Sequence, residues 1–528
     1  MTKRKLKKLF REEYGCRPDV HYFQGDMDHI RDYYDFRRNN SMDEFLIDNV
    51  TWYDLDMDEL YRRINPGLTT SGEQYLYYML RSPALDKESF HERRELIELM
   101  ERDSELRLEV QMILARLGRT RRADMCSAFY PKSHNPLLFF VYLLLCLAVP
   151  ASALALAFVG AAAIAPLICF ITFNSMLHGY VTRKIQTDLD TVNYSVGMIF
   201  TLRRLQRLRS EKLDKLLKGG YESLRRLKSV LRSGGVSSFS DGGMGDLLCS
   251  VLLLDLVNYE FLKTRLGSRH GDVFAIHEHL GRLDAAIAVA SYRASLGEKY
   301  CLPRVEFDAE NPYIRAEGLC HPLVESCVPN SIDTRRSILI TGSNASGKST
   351  FLKAMALGTV MAQSICTCCA ESYAASCLRP MSSMALRDDI LSGESYYIVE
   401  TRSLKRILDS LEGNVPVLCV VDEVLRGTNT VERIAASSKV LENMARRGAL
   451  CLAATHDIEL CSLLDSFSLF HFTERVGEEE MIFDYRLRPG KATSRNAINL
   501  LRLMGFDDEI VEGAHGRAEV YLEKGVWE

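Results

Sequence analysis

The sequence predicts an α/β domain at its C-terminal side, preceded by an all-α region into which an apolar helical hairpin is inserted. From about Pro312 onward, short apolar runs alternate with segments of helical periodicity, which is typical of a sheet covered by helices. Residues 135–177 carry no charged side chain. In the rest of the chain before Pro312, outside this uncharged run, apolar residues recur at helical spacing. The candidate strands of the α/β domain are Ser337–Thr341, Val415–Val421, Ala449–Thr455 and Met481–Leu487.

Length and composition limit the class of protein. The chain has 528 residues, enough for about three domains, and 47% of them are hydrophobic. Because the formal net charge is -4, no global positive field surrounds the molecule, and any nucleic-acid site must be local. The 15 cysteines form no paired CxxC modules, and the start, MTKRKLKKLFREE, lacks the apolar core of a signal peptide. We therefore predict reduced cysteines in a cytosolic environment.

Changes in composition divide the chain into predicted segments. Residues 1–47 are polar, aromatic and charged, and no role is predicted for them. Residues 48–122 are predicted to form the first part of a helical core. The apolar hairpin occupies residues 135–177. Residues 185–310 continue the helical core and include a basic helix, and residues 311–528 form the α/β domain.

The apolar run at residues 135–177 predicts a transmembrane hairpin. A bilayer core takes about 20 apolar residues as helix, so the run fits two short spans with a tight turn near residues 150–152. Lys132 precedes the run, and Arg183 and Lys184 follow it, which favours a hairpin with both ends in the cytoplasm. The alternative is a buried hairpin of a soluble helical domain.

The segment after the hairpin is helical and basic. Leu202, Leu205 and Leu208 recur at helical spacing with arginines between them, within a basic stretch that runs from Arg203 to Arg232. Such a face fits anionic lipid headgroups or DNA. It also fits a solvated helix whose apolar stripe packs on a neighbour. The sequence leaves these three interpretations open.

A glycine-rich loop between a strand and a helix is the strongest local signal. Residues 337–350 read SILITGSNASGKST, the phosphate-binding loop in the structural context that it requires. Its backbone amides and the following helix N-terminus would surround phosphate oxygens. Lys348 is predicted to contact the β- and γ-phosphates of ATP, and Ser349 to ligate Mg²⁺. The predicted nucleotide-binding residues are Gly342, Ser343, Asn344, Ala345, Ser346, Gly347, Lys348, Ser349 and Thr350.

Two further strand ends supply acidic and basic side chains. The apolar run VPVLCVVDE ends in Asp422 and Glu423. Asp422 is predicted to hold Mg²⁺ with Ser349, and Glu423 to orient or deprotonate the attacking water. The run CLAATHD places His456 at another strand end, within reach of the γ-phosphate or the water. Glu423, His456 and Lys348 are therefore the predicted catalytic residues.

These motifs resemble the MutS family of mismatch-repair ATPases. The stretch Asp422–Thr430 is similar to the family's DEIGRGTST, with Leu425 in place of a glycine and Asn429 in place of a serine. The loop Thr341–Thr350 is similar to TGPNMGGKST, and its departures are Ser343, Ala345 and Ser346.

The resemblance extends beyond the two motifs. Gly318–Leu323, together with Val328–Asn330, looks like the entry into the family's ATPase domain. Arg387–Glu400 is similar to the DDL-SG-S-F–VE stretch. Asn49–Asp58 and Thr70–Leu76 look like the start of the helical core. The ATPase part of this resemblance is more specific than the helical part.

The resemblance implies a fold, cofactors and partners. The implied fold is an all-α MutS-like core followed in the sequence by an α/β P-loop ATPase domain of the ABC type. The implied cofactors are ATP and Mg²⁺. The protein would be a homodimer in which Ser395 contacts the γ-phosphate held by the opposite subunit. DNA, mismatched or otherwise structured, is the implied partner.

Two departures from the family pattern alter this expectation. Full-length members carry mismatch-reading domains before the core, whereas only residues 1–47 precede it here. The apolar hairpin stands where the core would carry its DNA clamp. We therefore expect a truncated, membrane-anchored MutS-like protein without the N-terminal mismatch-recognition domain.

The leading hypothesis is a two-span membrane protein with a cytoplasmic ATPase domain, which couples ATP turnover to DNA binding. One alternative is an ABC-like transport or export motor, because Leu391–Ser395 echoes an ABC signature. Another is a regulatory scaffold that depends on ATP and does not bind DNA. Uptake into vesicles driven by ATP would support the transport motor, and affinity for DNA at low salt would support the leading hypothesis over the scaffold.

Overall fold

A computed structural model describes residues 2–23, 25–40, 45–131, 136–228, 230, 244–343, 346–384, 396–476, 481–492, 498, 501–502 and 504–524. The chain folds as two compact units. The first comprises Met1–Asp43, Ile64–Tyr78 and Glu95–Ser295. The second comprises Glu44–Arg63, Met79–Arg94 and Leu296–Glu528.

Helices dominate the first unit and surround the sheets of the second. In chain order the helices are α1 (Lys3–Glu13), α2 (Asp26–Asn40), α3 (Asn49–Asp54), α4 (Met57–Ile64), α5 (Thr70–Arg81), α6 (Lys87–Arg102), α7 (Ser104–Leu117), α8 (Pro136–Val159), α9 (Ile164–Gln206), α10 (Glu211–Leu216), α11 (Lys218–Arg226), α12 (Met244–Leu252), α13 (Leu254–Gly267), α14 (His270–Leu296), α15 (Lys348–Ser364), α16 (Tyr396–Asp409), α17 (Thr430–Arg446), α18 (Leu460–Leu463) and α19 (Asp508–Lys524).

The strands all lie in the second unit. They are β1 (Arg304–Glu306), β2 (Ile314–Leu319), β3 (Asn330–Thr334), β4 (Ile338–Thr341), β5 (Ser372–Ser376), β6 (Arg379–Ser383), β7 (Val417–Asp422), β8 (Leu450–Thr455), β9 (Ser468–His471), β10 (Glu474–Val476), β11 (Met481–Phe483) and β12 (Arg488–Pro489). Among the described residues, the larger sheet has the order β12-β9-β4-β8-β7-β6, and its strands run parallel except for β12. This arrangement confirms the predicted mixed α/β fold.

The centre of the larger sheet consists of β4, β8 and β7, in which every residue is buried. Continuous apolar runs are expected for parallel strands that are covered on both faces. Helix α15 follows β4 and is buried along most of its length, as a helix that crosses the sheet face requires. The predicted strands at these three positions agree with the observed ones to within two residues.

The prediction of a strand over Met481–Leu487 was only partly right. The observed strand β11 ends at Phe483 and pairs with β10 in a separate two-stranded ribbon. The sheet with the order β1-β5-β2-β3 was not predicted. Strand β2 is interrupted between Ala316 and Leu319 by a register shift, where Gly318 has a φ of 60°. Such a bulge breaks the alternation on which sequence-based strand prediction depends.

In the first unit, a buried carboxylate organises the start of α5. Oδ2 of Asp284 accepts hydrogen bonds from the backbone N of Thr69 at 2.9 Å and from its Oγ1 at 2.6 Å. Burial raises the pKa of Asp284 to about 7. The carboxylate approaches so closely that a Cβ added to Gly72 would lie 2.1 Å from Oδ2. Glycine is therefore required at position 72 by this contact.

We expect Gly72→Ala to destabilise the protein by about 1–3 kcal/mol, because the added methyl group overpacks the Asp284 contact. The measurement is the midpoint of thermal unfolding. Gly271→Ala is the matched control, since a Cβ there meets no atom within 4 Å and alanine favours a helix. Equal midpoints for Gly72→Ala and Gly271→Ala would contradict this account of Gly72.

The apolar run forms an antiparallel hairpin of α8 and the first part of α9. The predicted turn at residues 150–152 was wrong, because Pro150 lies inside α8 and the chain reverses at a 3-10 turn, Gly160–Ala163. Gly160 has a φ of 66°, which glycine adopts without steric cost. The buried side chain of Asn174 donates from Nδ2 to the carbonyl of Leu145 at 3.1 Å and to that of Val251 at 2.9 Å. Asn174 thus joins the two hairpin helices to α12.

The outer surface of this hairpin is apolar and uncovered. Among the described residues, the helical run Pro136–Gln206, which includes the reversal at Gly160–Ala163, is the one that is long and apolar enough to cross a membrane. Only 6% of its most apolar 18-residue window is buried. Exposed hydrophobic side chains include Leu144, Leu147, Leu154, Phe158, Ile168 and Phe173.

The basic stretch after the hairpin is divided among the end of α9, α10 and α11. Leu202 and Leu205 are fully buried in the helical unit, so the apolar stripe packs inward. Arg204, Arg207 and Arg209 are exposed. The stretch therefore has a packed apolar side and a solvated cationic side.

Candidate nucleotide-binding site

The carboxyl ends of β4, β8 and β7 lie next to one another along one edge of the larger sheet. In a parallel sheet, the loops that follow these strands meet at that edge, which is where such folds bind ligands. Register pairs Thr341 with Thr455 and Asp422 with Ala454. The structure therefore brings together the three segments that the sequence singled out.

The loop after β4 depends on two glycines. Gly342 has a φ of 147° and Gly347 a φ of 104°, a region of backbone conformation that favours glycine. A Cβ on Gly342 would lie 3.0 Å from the carbonyl oxygen of Phe472. Gly347 directly precedes α15, whose N-terminus therefore faces the loop. Asn344 and Ala345, two of the predicted nucleotide-binding residues, lie outside the described residues.

The Lys348 side chain folds back over the loop. Its Nζ donates to the carbonyl of Gly342 at 2.8 Å and to that of Ser343 at 2.7 Å. The side chain is only 5% exposed. Burial lowers the pKa of Lys348, and the nearby carboxylates of Asp422 and Glu423 partly offset this effect. The ammonium group is thus held at the mouth of the loop.

Asp422 and Ser349 form a direct pair at the same edge. Oγ of Ser349 donates to Oδ2 of Asp422 at 2.5 Å. Burial raises the pKa of Asp422, while the hydrogen bond from Ser349 lowers it in part. Oδ1 of Asp422 is buried, and no group in the described part of the chain hydrogen-bonds it. A buried carboxylate oxygen beside a hydroxyl matches the oxygen ligands that Mg²⁺ prefers.

Ser346, another residue of the loop, supplies a second buried polar atom. Its side chain is 1% exposed, and its Oγ has no hydrogen-bond partner among the described residues. Buried hydroxyls without partners are costly. An anion bound in the loop would provide the missing acceptor for the Ser346 hydroxyl.

The carboxylate of Glu423 contacts two side chains, those of His456 and Arg426. Its Oε1 lies 2.9 Å from Nε2 of His456, and its Oε2 pairs with Nε of Arg426. Burial alone would raise the pKa of Glu423, but the hydrogen bond to His456 and the charge of Arg426 outweigh burial and lower it. Nε2 of His456 also lies 3.4 Å from Nζ of Lys348. The carboxylate therefore stays ionised at neutral pH.

A cavity of about 290 Å³ opens beside Gly347 and was not predicted. Thr350 and Phe351 of α15 line one side, and His321, Val324 and Tyr485 line the other. Thr350, a predicted nucleotide-binding residue, thus faces this cavity. Its flat aromatic and aliphatic lining fits a planar heterocycle.

Asn330 fixes the wall of this cavity that carries Tyr485. Its Nδ2 donates to the carbonyl of Tyr485 at 3.0 Å, and its Oδ1 accepts from the backbone N of Leu487 at 2.7 Å. These residues are more than 150 positions apart in the sequence, so no local pattern joins them. The motif around Val328–Asn330 was the available signal, but it indicated a domain entry and not a ligand wall.

Ser395, which the family resemblance places in the partner's nucleotide site, lies outside the described residues. So does most of the stretch Arg387–Glu400 that carries the resemblance. Its last residues begin helix α16, which the structure describes from Tyr396.

Comparison with known proteins identifies the second unit. The family model for MutS domain V matches residues 338–521. The "DNA mismatch repair protein MutS" of Natronomonas pharaonis is 35% identical over 247 residues, 44% of this chain and 28% of the relative. That of Pseudothermotoga lettingae is 30% identical over 278 residues, 50% of this chain and 33% of the relative.

A longer match reaches beyond domain V. The "DNA mismatch repair protein MutS 2" of Haloarcula marismortui is 27% identical over 370 residues, 64% of this chain and 36% of the relative. In these three comparisons the chain spans about a third of the length of the relative that it matches. Residues 338–521 therefore form a domain similar to domain V of the MutS family.

Proposed function

We propose that this chain binds ATP with Mg²⁺ and hydrolyses it, as a MutS-like dimer that acts on DNA and is anchored to a membrane. The ATPase proposal rests on the side chains that meet at the carboxyl edge of the larger sheet. There Lys348 closes the loop, Asp422 presents a buried oxygen without a partner, and Glu423 pairs with His456. Each group suits one part of phosphoryl transfer to water.

The residues present fit a magnesium ion. Ser349 and Asp422 would hold it, since they are a hydroxyl and a carboxylate already in contact. When bound, Mg²⁺ supplies charge neutralisation on the β- and γ-phosphates. The raised pKa of Asp422 reflects its burial, and a cation beside it would stabilise its ionised form.

The pair of Glu423 and His456 would orient the attacking water. Each oxygen of Glu423 has one partner, His456 or Arg426, and a carboxylate oxygen can accept a second hydrogen bond from a water. The lowered pKa of Glu423 favours a role as an ionised acceptor of the water's hydrogen bond. His456, close to both Glu423 and Lys348, lies where the γ-phosphate would end.

The cavity beside Gly347 would take the adenine base. Its aromatic and aliphatic walls offer stacking surface, and Gly347 and Thr350 of the phosphate-binding loop are part of its lining. Binding and turnover are tested together by calorimetric titration with a slowly hydrolysed ATP analogue and by phosphate release from ATP, both with Mg²⁺. Absence of nucleotide binding would contradict the proposal outright.

The dimer and the trans contact of Ser395 rest on the resemblance to the MutS family. In a mixed dimer of one Ser395→Ala chain and one Glu423→Gln chain, completion in trans predicts one intact site and one doubly damaged site. Turnover of the mixed dimer would then exceed the mean of the two homodimers, because one of its sites is intact. Turnover at that mean, or a chain that stays monomeric with ATP, would count against the trans contact.

DNA is the partner that we propose for the basic side of Arg204, Arg207 and Arg209. About 37 Å of helix α9 separates the end of the hairpin at His178 from Arg203, with one kink at Ile185. Electrostatic attraction to headgroups fades within a Debye length of about 8 Å. The length of α9 therefore favours a polyanion in solution over the lipid surface for these arginines.

We expect replacement of these three exposed arginines by glutamine to flatten the salt dependence of DNA affinity. Each lost phosphate contact removes about 0.9 from the slope of log K against log salt, so the slope should fall by about 2–3. Fluorescence anisotropy with duplex, mismatched and branched DNA measures it. In the control, Lys405, Lys439 and Arg446 are replaced by glutamine, which removes the same amount of positive charge from another surface. No DNA affinity at low salt would contradict the DNA proposal.

The exposed apolar hairpin supports membrane anchoring. Leu154 and Ile168 lie on its two helices and are 64% and 56% exposed. Arginine at the centre of a membrane span costs about 2.5–3.5 kcal/mol per residue. We expect the wild type to resist alkaline extraction from membranes, and Leu154→Arg with Ile168→Arg to lose that resistance. Leu463→Arg, in the ATPase unit, is the control. Release of the wild type by alkali would contradict anchoring.

A further inference from the structure

The loop that presents Glu423 has an unusual backbone. Glu423 has a φ of 54° and Leu425 a φ of 60°, and both are non-glycine residues in a left-handed conformation. Such residues persist only where surrounding contacts hold them in place. At position 425, the stretch similar to the family's motif has leucine where the family has glycine. The loop therefore needs an external restraint.

Helix α16 provides that restraint. Oε1 of Glu400 accepts a hydrogen bond from the backbone N–H of Leu425, and the backbone N–H of Arg426 also interacts with this carboxylate. Glu400 is only 4% exposed. Burial raises the pKa of Glu400, and the two backbone interactions lower it in part. Glu400 thus gives the backbone N–H of Leu425 a buried hydrogen-bond acceptor, which restrains the peptide plane between Val424 and Leu425.

The same helix also packs against the loop at a second position. A Cβ added to Gly427 would lie 2.9 Å from the Cβ of Tyr397, so α16 packs directly on the loop backbone. From the other side, Oγ of Ser437 donates to the carbonyl of Val424 at 3.1 Å. The loop is thus held between α16 and α17, while the side chain of Leu425 packs into the apolar core.

We propose that Glu400 is a positioning residue for ATP hydrolysis, which holds Leu425 in its left-handed conformation so that Glu423 faces His456. Glu400 does not contact the reacting atoms. It acts through the backbone two residues beyond Glu423. This inference rests on the ATP hydrolysis proposed above, and it assigns a role that the phosphate-loop and strand-end motifs do not contain.

The test compares Glu400→Ala with Glu400→Gln in the full-length chain. Alanine removes the acceptor, and we expect the turnover number to fall about 10- to 100-fold, with MgATP affinity within about threefold of the wild type. Glutamine keeps an amide oxygen as acceptor, so it should restore most of the lost turnover. Glu412→Ala, an exposed acid with 89% of its side chain in solvent, is the control.

A double variant separates positioning from general stability. Glycine adopts a positive φ without steric cost, so Leu425→Gly should recover part of the turnover that Glu400→Ala loses. Thermal unfolding midpoints of all variants identify any that fail to fold. Recovery by Glu400→Gln and by the double variant supports the proposal. Unchanged turnover in Glu400→Ala, or a loss that neither recovers, overturns it. If the wild type shows no ATP turnover, the proposed hydrolysis fails and the role of Glu400 fails with it. If the wild type is active and the Glu400 variants do not behave as expected, only the role of Glu400 fails.

Discussion

Replacing Lys348 with alanine is expected to weaken the binding of MgATP at least about 100-fold. The Lys348 ammonium is buried and already donates to two carbonyl oxygens of the loop, so it is positioned before the nucleotide arrives. A hydrogen bond to a charged group contributes about 1.5–3 kcal/mol, and two contacts to phosphate oxygens therefore amount to at least about 3 kcal/mol. That free energy corresponds to more than two orders of magnitude in affinity.

Calorimetric titration with a slowly hydrolysed ATP analogue measures this effect. Lys439→Ala is the control, because Lys439 is 81% exposed and forms an ion pair with Glu442 on the surface of α17. A comparison of unfolding midpoints without nucleotide shows whether the loop survives the loss of the two carbonyl contacts. An affinity of Lys348→Ala within about threefold of the wild type would refute the phosphate-loop assignment.

Replacing Glu423 with glutamine is expected to slow turnover at least about 100-fold and to leave ATP bound. The substitution keeps the shape of the side chain and a hydrogen-bonding oxygen, but it removes the negative charge that aligns a water and accepts its proton. The pairing with Arg426 and His456 depends on that charge as well. Affinity for MgATP should change by only a few fold, since Glu423 does not hold the metal ion in the proposed arrangement.

Phosphate release in a single turnover, followed beside nucleotide affinity, separates these two quantities. Glu412→Gln serves as the control for the loss of one negative charge. Equal turnover in wild type and Glu423→Gln would show that another group handles the water, and the assignment of Glu423 would then be wrong.

The central strands of the sheet were predictable because their signal is local. Val417–Asp422 and Leu450–Thr455 are short apolar runs that end in polar residues, and both are buried on each face. The residues that we propose to face a nucleotide follow such strands directly, so strand ends alone indicated Asp422, Glu423 and His456. Their mutual contacts follow from neighbouring strands in a parallel sheet.

The remaining features depend on long-range contacts that leave no local pattern. The cavity wall joins His321 to Tyr485, and the loop restraint joins Glu400 to Leu425. Pro150 misled the turn prediction, because it lies inside α8, where it removes one backbone donor without ending the helix. The chain reverses at Gly160 instead, where a positive φ is available.

The long helix α9 has a consequence for how a membrane and DNA would share this molecule. Both are polyanions, and a protein that held them side by side would have to overcome their mutual repulsion. The helix places Arg204, with Arg207 and Arg209 just beyond its end, several Debye lengths from the last apolar residue of the hairpin. If a bilayer held the hairpin, salt would screen the lipid charge at that spacing, and DNA bound to these arginines would be electrostatically independent of the bilayer.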